Sequence, residues 1–146
     1  LQVINAFGKS LDIVGISLYP HLTGLSPEGL GTKHLNKLRQ INQPIGIFET
    51  AWPSDTKIGD NIQKQYLQAL LPQLNDIETK LVVWTSSTDS PPVQSRQDSA
   101  SNGIPSWAYN LGLWTMHGEP KPAASIWTQW YKRLISLPQL RERPNR

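Results

Sequence analysis

The sequence predicts an α/β fold built on a parallel sheet, and three observations carry that expectation. Three short apolar runs rich in β-branched residues read as strands buried on both faces, as in parallel sheets. Segments with helical spacing separate them, and strict alternation of strand and helix favours parallel strands with right-handed crossovers. The length of 146 residues suits one domain. It falls short of the roughly 200 residues that a closed eightfold β/α barrel needs.

The elements follow in order. Leu1 to Phe7 reads as the tail of an earlier helix, stopped by Gly8. Leu11 to Leu18 is the first strand. Thr32 to Ile41 is a helix with Leu35, Leu38 and Ile41 on one face. Pro44 to Phe48 is the second strand. Asn61 to Leu74 is a second helix, with Ile62, Tyr66, Leu67, Leu70, Leu71 and Leu74 as its apolar stripe. Asp60 and Gln63 form a capping box at its start, and Pro72 should kink or end it. Lys80 to Trp84 is the third strand. Ser86 to Ser106 is polar, carries Pro91-Pro92, and reads as a long loop. Ala123 to Leu134 is the last helix, with Ile126, Trp127, Trp130, Tyr131 and Leu134 on its apolar face. Residues 1–137 form the folded unit, and 138–146 a basic, frayed tail.

Composition narrows the function. Hydrophobic residues make up 38% and charged residues 17%, which argues against wholesale disorder. Cysteine is absent, so disulfides, thiol nucleophiles and Cys-based zinc sites are excluded. His21, His34 and His117 are not at metal-ligand spacing, and no metal or cofactor is expected. No apolar run reaches the roughly 18 residues of a membrane span. The net charge of +3 is a tail effect, because five basic residues and one acid lie from Lys132 onward. Nothing interleaves aromatics with a basic face, so no nucleic-acid partner is expected. No glycine-rich phosphate loop and no nucleophile elbow occur.

In parallel β/α folds the chemistry sits at the carboxyl ends of the strands. The first strand runs into Tyr19-Pro20-His21, the second into Glu49-Thr50-Ala51-Trp52-Pro53, and the third into Trp84-Thr85 with Asp89 soon after. Aromatic faces beside a carboxylate suit sugars: the apolar face of a pyranose stacks on a ring, and its hydroxyls bond to carboxylate or imidazole. Glu49 is the sharpest candidate, since a carboxylate at the end of a buried strand costs free energy unless it is paired. The same position also serves a Glu that caps the next helix or pairs with a base. Trp52, His21 and Asp89 admit plain structural readings too, as loop packing or solvated loop residues.

The segment from Ile47 to Ser54, Ile-Phe-Glu-Thr-Ala-Trp-Pro-Ser, resembles the seventh strand of clan A glycoside hydrolases, retaining (β/α)8 barrels whose nucleophile Glu ends that strand. Asp12 to Pro20 resembles the sixth strand of these enzymes and Leu81 to Trp84 the eighth. Gly112-Leu113-Trp114 with Gly118-Glu119-Pro120-Lys121-Pro122-Ala123 resembles the segment before the last helix. The flavour is nearest to arabinogalactan endo-galactanases and cellulase-like barrels. The resemblance implies the carboxyl-terminal portion of a TIM barrel, about strands 6–8 with their helices. It implies Glu49 as nucleophile, Tyr19 as the hydroxyl that orients it, and Trp84 as the floor of a sugar subsite. His21, Trp52 and Asp89 are further substrate contacts. The implied substrate is a β-linked polysaccharide, and secretion or a periplasmic location is implied by the resemblance alone.

A retaining glycosidase also needs a second carboxylate about 5–5.5 Å from the nucleophile. In this clan it follows an Asn at the end of the fourth strand, and the sequence has no Asn-Glu pair. The chain therefore reads as a fragment that is inactive alone, with the missing amino-terminal half of the barrel as a partner. The alternatives are a non-catalytic, degenerate barrel piece that binds saccharide weakly, or a small open α/β domain of unrelated function. A three-strand piece exposes strand edges, so the isolated chain is expected to be partly unfolded or oligomeric. A compact monomer with a cooperative melt would contradict that.

Overall fold

The computed structural model describes residues 2–31, 35–54, 57–91 and 105–136. Its elements are α1 (Gln2–Phe7), β1 (Val14–Leu18), α2 (Leu35–Leu38), β2 (Ile45–Thr50), α3 (Lys57–Leu74), β3 (Thr79–Trp84) and α4 (Pro122–Ser136). Short 3₁₀ turns, Pro20–Thr23 and Glu28–Gly31, follow β1, and another, Ser106–Tyr109, precedes the last loop. The sheet has the order β1-β2-β3 and both pairings are parallel. This is the alternating architecture that the apolar runs predict.

Three boundaries differ from expectation. α3 begins at Lys57, so Asp60 lies inside its first turn, where a carboxylate favours the helix dipole. Gln63 is buried and donates to the carbonyls of Trp52 (2.9 Å) and Gly112 (3.1 Å), so the expected capping box is not formed. α2 is a single turn, with Leu35 buried and Leu38 and Ile41 packed against the core; Thr32 and His34 lie outside the described residues. Most of the long loop, 92–104, and the expected basic tail also lie outside them. α3 ends at Leu74, two residues past Pro72.

The sheet is buried on one face only. Ile45 and Ile47 pack with Tyr66, Leu67, Leu70, Leu71 and Leu74 of α3, and α4 closes the layer with Ala123 and Ala124. The opposite face is open. Phe48 is 45% exposed, Leu81 44% and Val83 39%. This corrects the expectation of strands covered on both sides. The apolar residues alternate between two faces, but the described helices supply packing for one of them. On the open face the Phe48 ring lies across the sheet over Gly15 and Gly46, where an added Cβ would approach it to 2.5 Å. Those two glycines let the ring lie flat.

One irregularity positions the site. Ile16 pairs with Ile47, but the next residue, Ser17, pairs with Glu49. The pairing of β2 with β3 also shifts between Ile47 and Thr50. The extra residue in β2 breaks the two-residue alternation, as bulges do. Strict alternation from buried Ile47 would carry Glu49 into the helix-covered core. Instead Phe48 and Glu49 are both exposed and Thr50 returns to the interior.

Candidate active site

Glu49 sits at the carboxyl-terminal rim of the sheet, where the β1 and β3 strand ends flank it. Ser17 Oγ donates to its Oε2 at 3.4 Å, and the Tyr19 hydroxyl donates to the same oxygen at 3.3 Å. The Tyr19 hydroxyl also lies 2.7 Å from Thr85 Oγ1, the first residue after β3. Thr85 is anchored in turn, its backbone N–H and hydroxyl donating to the Thr50 carbonyl at 2.9 and 3.1 Å. Thr50 Oγ1 donates to Leu18 O at 2.8 Å and meets the buried Tyr66 hydroxyl. The three strand ends are thus sewn together beneath one accessible carboxylate.

The titration of the neighbours follows from this placement. Burial is the main cause that raises the pKa of Tyr19; the Thr85 bond works against it, and the charge and hydrogen bond of Glu49 add to it. Tyr66 is pushed up by burial, offset in part by its bond to Thr50. Tyr19 therefore stays a neutral donor across the physiological range.

His21 lies edge-on against Tyr19, Trp52 and Trp107, with ring centroids 5.9, 5.7 and 5.0 Å away. Its ring nitrogens are shielded from solvent, and neither makes a well-formed hydrogen bond among the described residues. Burial lowers its pKa, and the backbone of Ala51 only partly offsets that. As pH falls, the unfolded chain takes up a proton here before the folded chain does. His21 thus contributes stability that is complete above its unfolded value near 6.5 and is lost as pH falls through the depressed folded value. His21→Phe is expected to flatten the pH–stability curve in that window. Melts from about pH 5 to 7 check this, and an unchanged slope would refute it.

The other expected site residues lie elsewhere. Trp84 ends β3 on the helix side. It is 8% exposed, packs between Tyr66 and Trp127, and donates its indole N–H to Leu111 O at 2.8 Å. Leu81 and Val83 take the open face, so the parity of β3 turns Trp84 into the core, where it offers no stacking floor to a sugar on the open side. Trp52 is also 8% exposed and stacks on Tyr66 behind the rim. Asp89 turns inward, holding Lys121 Nζ at 2.6 Å and accepting the Gly112 N–H at 2.9 Å. Lys121 Nζ also donates to Ser54 Oγ at 2.6 Å. Glu49, Tyr19 and His21 thus share the rim, whereas Trp84 and Asp89 brace the scaffold.

Sequence reasoning passed over Ser17, Thr85 and Trp107. Ser17 and Thr85 carried a usable signal, since both stand at the end of a strand. Trp107 follows the long loop, and nothing in its spacing places it against His21. Among the described residues no group of His, Asp and Glu could hold a metal ion, and no helix is long and apolar enough to cross a membrane.

The fold is part of a (β/α)8 barrel, three consecutive strands with their crossover helices, and the solved structures it resembles are glycoside hydrolases. One is a β-glucuronidase of Bifidobacterium dentium complexed with coumarin-3-O-glucuronide, at a TM-score of 0.62 and 17% identity over 89% of this chain and 21% of that one. A second is the glycoside hydrolase family 17 β-1,3-glucanosyltransferase of Rhizomucor miehei, at 0.55 and 19%, covering 81% of this chain and 44% of that one. A third is the GH5_18 protein of Bifidobacterium longum in complex with Manβ1-4GlcNAc, at 0.57 and 19%, over 87% and 31%. The chain spans 23% of the β-glucuronidase of an uncultured Clostridium and less than half of each of these structures. No protein-family profile and no curated protein sequence matches the chain.

Proposed function

We propose that the chain is the carboxyl-terminal portion of a retaining glycoside hydrolase that acts on a β-linked saccharide, with Glu49 as its nucleophile. The observation that carries this reading is the bulge in β2, which brings Glu49 out of the core onto the open rim and under two hydroxyl donors. An ionised carboxylate there attacks the anomeric carbon. A bond from a Glu49 oxygen to that carbon forms as the glycosidic C–O bond breaks, giving a glycosyl ester that water later hydrolyses. The leaving oxygen takes its proton from a second carboxylic acid. Asp89 cannot serve, because Lys121 and Gly112 hold it. The acid therefore belongs to the rest of the barrel, whose strands would cover the open face of the sheet and pair with the edges of β1 and β3.

The saccharide complexes among the similar structures support a sugar as substrate. The galactanase and cellulase-like flavour of the sequence points to a β-linked polymer, and Tyr19 and His21 line the rim that it would meet. The test is stereochemical. Proton NMR of early products, with the native protein acting on a β-linked oligosaccharide, should show the β-anomer first. Initial release of the α-anomer would mean inversion and would refute a nucleophilic Glu49.

A further inference from the structure

The hydroxyls above Glu49 leave a proton-counting problem. Tyr19 has one phenolic proton and two acceptors in reach: Glu49 Oε2 at 3.3 Å and Thr85 Oγ1 at 2.7 Å. Thr85 likewise has one hydroxyl proton, and the Thr50 carbonyl lies 3.1 Å away to receive it. If Thr85 donates to Thr50, its oxygen accepts from Tyr19, and Glu49 keeps only the 3.4 Å contact from Ser17. If Tyr19 donates to Glu49, Thr85 must turn and donate to Tyr19. The Thr50 carbonyl loses little in that turn, because it still accepts the Thr85 N–H at 2.9 Å.

We propose that Thr85 is a positioning residue that competes with Glu49 for the single phenolic proton of Tyr19. The shorter distance favours Thr85, while charge favours an ionised carboxylate, since hydrogen bonds to ions are the stronger kind. The Tyr19–Thr85 bond therefore reverses direction with the charge on Glu49, and no proton changes owner. The catalytic consequence rests on the reading of Glu49 given above. A nucleophile gripped less tightly in its ground state attacks more readily, and once Glu49 is esterified the Tyr19 proton has another acceptor waiting. The competition itself is a property of the three side chains and stands without that reading.

The test measures how strongly Tyr19 and Glu49 are coupled. The titratable groups that face Tyr19 are Glu49 from β2, His21 from the turn after β1, and Tyr66 from α3. Tyrosine labelled with ¹³C at Cζ resolves each phenol, and Tyr19→Phe assigns the signal. Tyr19 is titrated in the chain as it stands, in Glu49→Gln, in Thr85→Val and in the double variant. Removal of the carboxylate should lower the Tyr19 pKa, because the charge and hydrogen bond of Glu49 both raise it. With Thr85 replaced by Val the phenol has Glu49 alone, so the drop should grow. Thr85→Ser should restore the smaller drop. A drop that is equal or smaller in the Thr85→Val background would overturn the proposal, since Thr85 would then support the Tyr19–Glu49 bond or ignore it. Thr85 is exposed, so these variants should fold, and Thr85→Ala repeats the test if Val perturbs the rim. Failure of Glu49 as a nucleophile would leave this result untouched.

Discussion

Glu49→Gln is expected to remove at least ~10⁴-fold of the turnover of the complete enzyme, because the covalent route disappears with its nucleophile. The substitution keeps the size of the side chain and both hydroxyl neighbours, so the melt should barely move. In Glu49→Ala, which vacates the space of the carboxylate, azide should restore part of the activity and leave a glycosyl azide, since a small anion fits where the carboxylate stood and needs no proton taken from it. Loss without rescue, together with a lower melting temperature, would assign Glu49 to structure. The exposure of Glu49 argues against that, because its hydrogen bonds of 3.3 and 3.4 Å are long and solvent-exposed and contribute little to stability.

The largest stability effect is expected at Lys121. Its side chain is 3% exposed and that of Asp89 13%, so the pair is removed from water. Lys121 ties the start of α4 to the loop after β3 through Asp89 and to the loop after β2 through Ser54. Lys121→Ala leaves a shielded carboxylate without its cation, which costs about 3–5 kcal/mol. For a domain of this size that is a fall of roughly 10 °C in melting temperature. Replacing both partners, Lys121→Met with Asp89→Leu, should recover most of the loss, because apolar side chains do not need the pairing. Thermal melts of the two variants check this. A single variant as stable as the parent would show that water reaches Asp89 in the fold.

The placement of these residues shows how far the sequence could be read. The order of strands and helices was legible because each apolar run is short and each helical stripe regular. Glu49 was legible as a rim residue because it follows Ile47-Phe48 at a strand end. Its route there was not, since strict alternation from buried Ile47 puts it in the core and the extra residue in β2 turns it out to the rim. A one-residue shift sends each following side chain to the opposite face, and the run Ile-Gly-Ile-Phe-Glu-Thr does not say where the extra residue falls. Trp84 shows the same limit from the other side. Leu81 to Trp84 is apolar throughout, so the run hides which residues face the helices, and parity in the folded sheet sends Trp84 inward. The inward turn of Asp89 is not legible, because its partner stands 32 positions later, in a segment whose path no local signal describes. Lys121 lies within the stretch resembling the segment before the last barrel helix, but its burial follows only from the tertiary contacts with Asp89 and Ser54.

A nucleophilic Glu49 forms a covalent bond to the sugar, and covalent labelling reads that bond directly. The native protein is incubated with 2-deoxy-2-fluoro glycosides that carry a fluoride or dinitrophenolate leaving group. Such groups depart without a proton, so the trapping step needs the nucleophile and not the acid. Peptide mapping by mass spectrometry should find one glycosyl adduct, on the peptide that contains Glu49, and none in Glu49→Gln. An adduct on any other carboxylate, or substrate turnover with no adduct at all, would contradict the account.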